Sequence, residues 1–189
     1  MQEKIRGLMR ERLRPGRYIH SLGVSEVAGE LAQVHGADRE KAEIAGLVHD
    51  IARDLPLAQL LKLASEFGIM VSTVEETFPE LLHPIVGAGL LEFELGLTDP
   101  QILQAVRFHT TGHPGMSTLD KIIYLADLIE PGRDFPGVER LRWLSVLQLD
   151  HAVLEALEQS LQYLICRGKC IHPNSVEARN YLLVTQKGR

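Results

Sequence analysis

Apolar residues recur at three- and four-residue intervals along almost the whole chain, the period of an amphipathic helix and not the alternation of a strand. Residues 2–13 predict a short helix stopped before Pro15, and residues 16–35 a long one with His20, Val24, Val27, Leu31 and Val34 on one face. Gly36 follows, free to take the left-handed C-cap that ends such a helix. Asp38 is placed to cap the next helix, through Ala42, Ala45 and Gly46 to His49 and Asp50. Pro56 opens another in its first turn, and Gly68 closes it. The stretch 69–78 holds β-branched residues but has no partner run, so it reads as connection or short helix. His83-Pro84 opens a helix through Leu90 and Leu91 that closes near Gly96, and Asp99-Pro100 opens one that ends at His109-Thr110. Ser117 with Asp120 three residues on is a capping-box variant, and it starts the helix that holds Asp127 and ends near Pro131-Gly132. Helices over 138–147 and 150–167 precede a last one begun by Pro173. No internal repeat, low-complexity tract or long linker interrupts the series. The expectation is an all-α fold, a single-domain helical bundle over residues 1–189.

A chain of 189 residues can bury one substantial core but not two large ones. Aromatics are only 5% of it, so Leu, Ile, Val and Ala must fill that core. The net charge of −5 leaves no surplus of Lys and Arg, so no nucleic-acid partner is expected. A small anionic substrate would need bound metals or local cations to offset the overall repulsion. Cys166 and Cys170 cannot staple a chain of this size; four apart, they share a face if the helix continues, and they read as reduced thiols in or near a core. The start, MQEKIRGLMRER, is charged throughout and lacks the apolar centre of a signal peptide. No apolar run approaches the roughly 20 residues of a membrane span, so no membrane partner is expected and the cytoplasm is the default compartment. Trp143 reads as core or as packing against a partner chain; a homodimer is compatible with the sequence without being required.

The imidazoles and carboxylates change the picture most. His20 lies on an apolar helix face, His49 and Asp50 end a helix, His83 begins one, His109 ends one, and Asp127 stands in YLADLIEP among apolar neighbours. A buried carboxylate is unfavourable unless paired, hydrogen-bonded or bound to a metal. Each residue also has an ordinary explanation. A lone histidine on an apolar face can be a satisfied core residue, His83 an N-cap, His109 a dipole partner, and Asp127 a backbone hydrogen-bond acceptor. Jointly they place ligand-type side chains at the ends or apolar faces of five segments, which is how helical bundles build carboxylate–histidine metal sites. Only a carboxylate has two oxygens with which to bridge two cations, whereas a neutral imidazole offers one lone pair. Such a mixed set suits Fe, Mn, Zn or Co better than Mg or Ca.

The order H…HD…H…H…D, with RYIHSLGV, GLVHDIARDL, LLHPIVGA, RFHTTGHP, YLADLIEPGRDF and the tail IHPNSVEARNYLL, resembles the YqeK-type branch of the HD-domain phosphohydrolase superfamily. The resemblance runs from about residue 15 to 184 and departs at no ligand position. It implies an HD-type bundle that hydrolyses diadenosine tetraphosphate symmetrically to two ADP through a hydroxide bridging two divalent metal ions. By it, His20, His49, Asp50 and Asp127 hold one ion, while Asp50, His83 and His109 hold the second and carry the catalysis. It favours iron, with manganese or cobalt as alternatives. Cations to hold the remaining phosphates are Arg133 first, then Lys121, Arg53 and Arg17, each of which could instead be a solvated surface charge. Thr110 could bond phosphate or merely cap its helix, and His113 could protonate a leaving group. On family likeness alone, Cys170, Ile171, His172, Pro173, Asn174 and Ser175 line the nucleoside pocket. The competing readings are an HD-type nucleotidase, a deoxynucleotide phosphohydrolase, and a non-catalytic nucleotide-binding module. A cyclic-dinucleotide phosphodiesterase would carry a GYP-type motif, which is absent.

Overall fold

The structure, a computed structural model, describes residues 2–187. Among them there are eleven α-helices and no strand: α1 Gln2–Arg12, α2 Pro15–His35, α3 Arg39–Val48, α4 Leu57–Glu66, α5 Thr73–Thr77, α6 Leu82–Gly89, α7 Pro100–Phe108, α8 Thr118–Ile129, α9 Val138–Leu147, α10 Leu149–Cys166 and α11 Pro173–Lys187. A 3-10 turn, Pro79–Leu81, leads into α6, and a π turn, Leu90–Glu94, leaves it. The boundary chemistry is the expected one. Gly36 takes φ 67° at the end of α2, Asp38 accepts from Lys41 N, and Asp99 accepts from Gln101 N and Ile102 N. Ser117 and Asp120 close a reciprocal capping box on α8. The stretch 69–78 resolves as the short α5, begun by a second capping box of Ser72 and Glu75.

Helix α8 is the axis of the molecule. Leu119, Ile122, Ile123, Leu125 and Ala126 are all buried, so its surface is covered nearly all round, by α2, α3, α7, α9 and α10. A smaller core of Ala52, Leu60, Leu63, Leu82, Val86 and Leu90 lies between α4 and α6. Helices α2 and α3 meet through small residues. A Cβ on Gly46 would stand 2.9 Å from Ser25 Cα, so glycine sets how closely the two backbones approach.

Three expectations need correction. Val34 is 52% exposed, because the buried stripe of α2 runs through Ser21, Val24, Ser25, Ala28, Leu31 and Ala32 and leaves Val34 at its edge. Helix α10 stops at Cys166, and Gly168 turns the chain at φ 61°; the two cysteines are exposed free thiols on no common helix. Trp143 is 61% exposed and is not core.

Candidate metal centre

Three of the four convergent histidines are oriented by one device. At the C-cap of α3, His49 donates its Nδ1–H to Gly46 O at 2.7 Å; at the C-cap of α7, His109 donates to Val106 O at 2.8 Å. In the first turn of α6, His83 donates to Glu80 O at 2.6 Å. Each acceptor lies three residues back, and at a helix C-terminus such a carbonyl has no intrahelical partner. His20 on α2 differs: its Nδ1–H goes to the carboxylate of Glu130, 3.1 Å away. A carbonyl or carboxylate can only accept, so Nδ1 carries a proton in all four rings, which leaves Nε2 as the nitrogen each can offer to a metal.

Those nitrogens converge. His20 and His49 bring their Nε2 atoms to 3.3 Å, and His83 and His109 bring theirs to 3.2 Å. Asp50, in the turn after α3, stands between the two pairs. Its Oδ1 is 3.0 Å from His83 Nε2 and 3.7 Å from His109 Nε2, while Oδ2 is 3.4 Å from His49 and 3.8 Å from His20. Asp127 Oδ1, in the last turn of α8, is 3.0 Å from His20 Nε2 and 3.9 Å from His49 Nε2. Four Nε2 atoms and two carboxylates drawn this close, and largely buried, form a pocket of donors that a cation among them would stabilise. Three donor trios are each tight enough to bind an ion: His20–His49–Asp50 and Asp50–His83–His109, which share Asp50, and His49–His109–Asp127, which links the two sides of the cluster. The donor set fits a divalent metal.

The electrostatics agree. For Asp50, burial disfavours the charge, but His49, His109 and His83 outweigh it and hold the carboxyl well below the usual range. Asp127 is likewise lowered, with His20, His49, His109 and Arg133 overcoming its burial. His83 is pushed down to about 4, chiefly by burial and only partly offset by Asp50, so it is a neutral donor at physiological pH. In His49, burial is outweighed by Asp50 and Asp127, and the pKa is raised.

The cations divide. Arg17 donates to Asp50 Oδ2 at 2.8 Å, and Arg133 donates to Asp127 Oδ1 at 2.6 Å and to Asp127 O at 2.7 Å. Both line an open cleft of about 300 Å³ that reaches His20 and is completed by Gly16, Ile19, Glu130 and Gly132. Arg53 sits behind the centre, its Nη1 3.1 Å from His83 Nδ1. Lys121 is not brought in: it lies about 120° round α8 from Asp127 and is held by Asp150 Oδ1 at 2.6 Å. The Thr110 hydroxyl, one residue past His109, is shut from solvent and has no hydrogen-bond partner. His113 points to Asp120 Oδ2 at 3.1 Å. In the segment 170–175, His172 lies 3.6 Å from Glu75 Oε1 of α5, and no residue of the segment bonds to the cluster.

Sequence reasoning missed Glu130 and Arg142. Arg142 of α9 donates to the carbonyls of Ile129, Glu130 and Arg133, which fixes the loop that ends α8. The available signal was Gly23, one turn after His20 on the same helix face, where a Cβ would stand 3.0 Å from Glu130 Oε2.

A helical bundle that brings histidines and aspartates from five segments together is the architecture of a carboxylate–histidine metal protein. The chain belongs to the HD domain family, whose model matches residues 17–132. It is 41% identical over 182 residues to the symmetrical bis(5′-nucleosyl)-tetraphosphatase of Halalkalibacterium halodurans, covering 95% of this chain and 96% of that one. It is 37% identical over 182 residues to the protein of the same name from Bacillus subtilis, covering 96% and 97%. A crystal structure from Clostridium acetobutylicum, described as a predicted HD superfamily hydrolase involved in NAD metabolism, superposes with a TM-score of 0.95 at 40% identity over 98% of both chains.

Proposed function

We propose that this chain is a symmetrical bis(5′-nucleosyl)-tetraphosphatase, a metal-dependent hydrolase that cleaves diadenosine tetraphosphate at its centre into two ADP. The observation that carries the reading is the pair of donor trios sharing Asp50, in a chain alike over nearly its full length to hydrolases of that name. His20, His49, Asp50 and Asp127 would hold one divalent ion, and Asp50, His83 and His109 a second. Iron is the first choice, from the family resemblance, with manganese or cobalt as alternatives. When bound, the metal supplies an acidified water and positive charge against the phosphoryl oxygens.

The chain's own residues do the rest. Carbonyls and Glu130 hold each imidazole with its Nε2 inward, so no ring must reorient when the substrate arrives. Arg17 and Arg133, with side chains 30% and 36% exposed, put two guanidinium groups on the cleft wall, where they can take phosphate oxygens bidentately. They supply the local cations that a chain of net charge −5 needs for a polyanion. Arg53 sets the back wall of His83. The segment 170–175 keeps its proposed nucleoside contact only if the substrate reaches past α5. We read residues 1–189 as one HD-domain unit.

Chromatography of the products from the metal-loaded enzyme tests this. ADP as the sole nucleotide product is expected; AMP with ATP would contradict symmetrical cleavage, and turnover of mononucleotides only would favour an HD-type nucleotidase.

A further inference from the structure

Glu130 is 6% exposed, and both of its oxygens are used. Oε1 accepts from His20 Nδ1 at 3.1 Å, and Oε2 accepts from Gly132 N at 2.6 Å. Two glycines clear its seat. A Cβ on Gly23 would stand 3.0 Å from Oε2, and one on Gly132 would stand 3.0 Å from both oxygens. Arg142 pins the backbone on either side, donating to Ile129 O, Glu130 O and Arg133 O at 2.9, 2.9 and 2.8 Å. The other three imidazoles of the centre give their Nδ1–H to neutral carbonyls; His20 alone gives it to a charge. A carboxylate behind an imidazole fixes its ring and tautomer and makes the far nitrogen a stronger donor.

We infer that Glu130 is a positioning residue that makes the two halves of the centre unequal. By taking the Nδ1 proton it aims His20 Nε2 at the place shared with His49, Asp50 and Asp127, and strengthens that half over the His83–His109 half. Gly23, Gly132 and Arg142 serve to keep the carboxylate there. This rests on the metal-centre reading above.

The test uses the full chain, stripped with a chelator and titrated with Mn(II) by calorimetry, beside nitrogen-15 spectra of the imidazoles in the metal-free protein. In wild type, two equivalents should bind. In E130A, one equivalent should weaken about 10- to 100-fold while the other holds, and His20 alone should lose its fixed Nδ1–H tautomer. E130Q, which keeps an acceptor without the charge, should restore the tautomer and part of the affinity. If E130A fails to fold, E130Q carries the test: loss of the charge should weaken one equivalent and spare the other, and wild-type affinity at both would overturn the inference. Equal weakening of both equivalents, no weakening, or an unchanged His20 tautomer in E130A would overturn the inference alone. A wild-type protein that binds no metal would overturn the metal-centre reading as well.

Discussion

Gly46 lies where α3 crosses α2, and alanine there should open the joint that brings His20 to His49. The new Cβ would stand 2.9 Å from Ser25 Cα, 3.0 Å from Ser25 N and 3.0 Å from Val24 O, against an ordinary contact of 3.4 Å or more. All three opposing atoms are backbone or tied to it, so the helices must part by about 0.5 Å. Overpacking against backbone costs about 3 kcal/mol, the upper end of the usual range. Alanine's better helix propensity returns about 1 kcal/mol. The net loss of about 2 kcal/mol lowers Tm by about 4–8 °C in a domain of this length. Gly46 O also accepts the His49 Nδ1–H at 2.7 Å, so the ring moves with α3 and metal affinity at the His20–His49 pair should fall with stability. Thermal unfolding of metal-free protein, followed by metal analysis after loading, reads both effects. Gly7→Ala is the control: nothing lies within 4 Å of its Cβ, and it should be neutral or stabilising. A Gly46→Ala protein with the Tm and metal content of wild type would refute the claim that this contact sets the geometry of the centre.

Asp50→Ala should abolish turnover and lower metal content together, since both trios lose their shared member; full activity at normal metal content would reject the bridging role. Arg133→Ala should lower kcat/KM while metal stays bound, and an unchanged kcat/KM would remove it from substrate binding. Metal uptake should weaken as pH falls, because protons compete for the imidazole lone pairs. His49, its pKa raised by Asp50 and Asp127 against its burial, should take up a proton well before His83, which stays neutral until pH nears 4, and Asp50 and Asp127 stay ionised. Equal affinity at about pH 6 and about pH 8 would contradict proton competition at these imidazoles.

Helix ends were legible in the sequence because capping is local. Asp38, Asp99, Ser117 and Gly36 each act within four residues of themselves. The six convergent residues were legible as a family pattern, and their meeting follows from helix ends that turn inward. The working face of α2 was read less well. Val24, Val27 and Leu31 do pack on the core and Val34 does not, while the close approach to α3 is made at Ser25 and Gly46, whose small size is the point. Lys121 stood six residues before Asp127, a spacing that places it on a different helix face, where Asp150 holds it. Glu130 and Arg142 escaped notice because their roles exist only across helices: one reaches from the end of α8 to α2, the other from α9 to the same loop.

The most direct measurement is anomalous diffraction from crystals soaked in, or grown with, Mn(II) or Fe(II), collected at the metal's absorption edge. Two peaks should lie against Asp50, one bounded by His20, His49 and Asp127 and the other by His83 and His109. No anomalous density at these nitrogens, or metal only at sites elsewhere on the surface, would contradict the account.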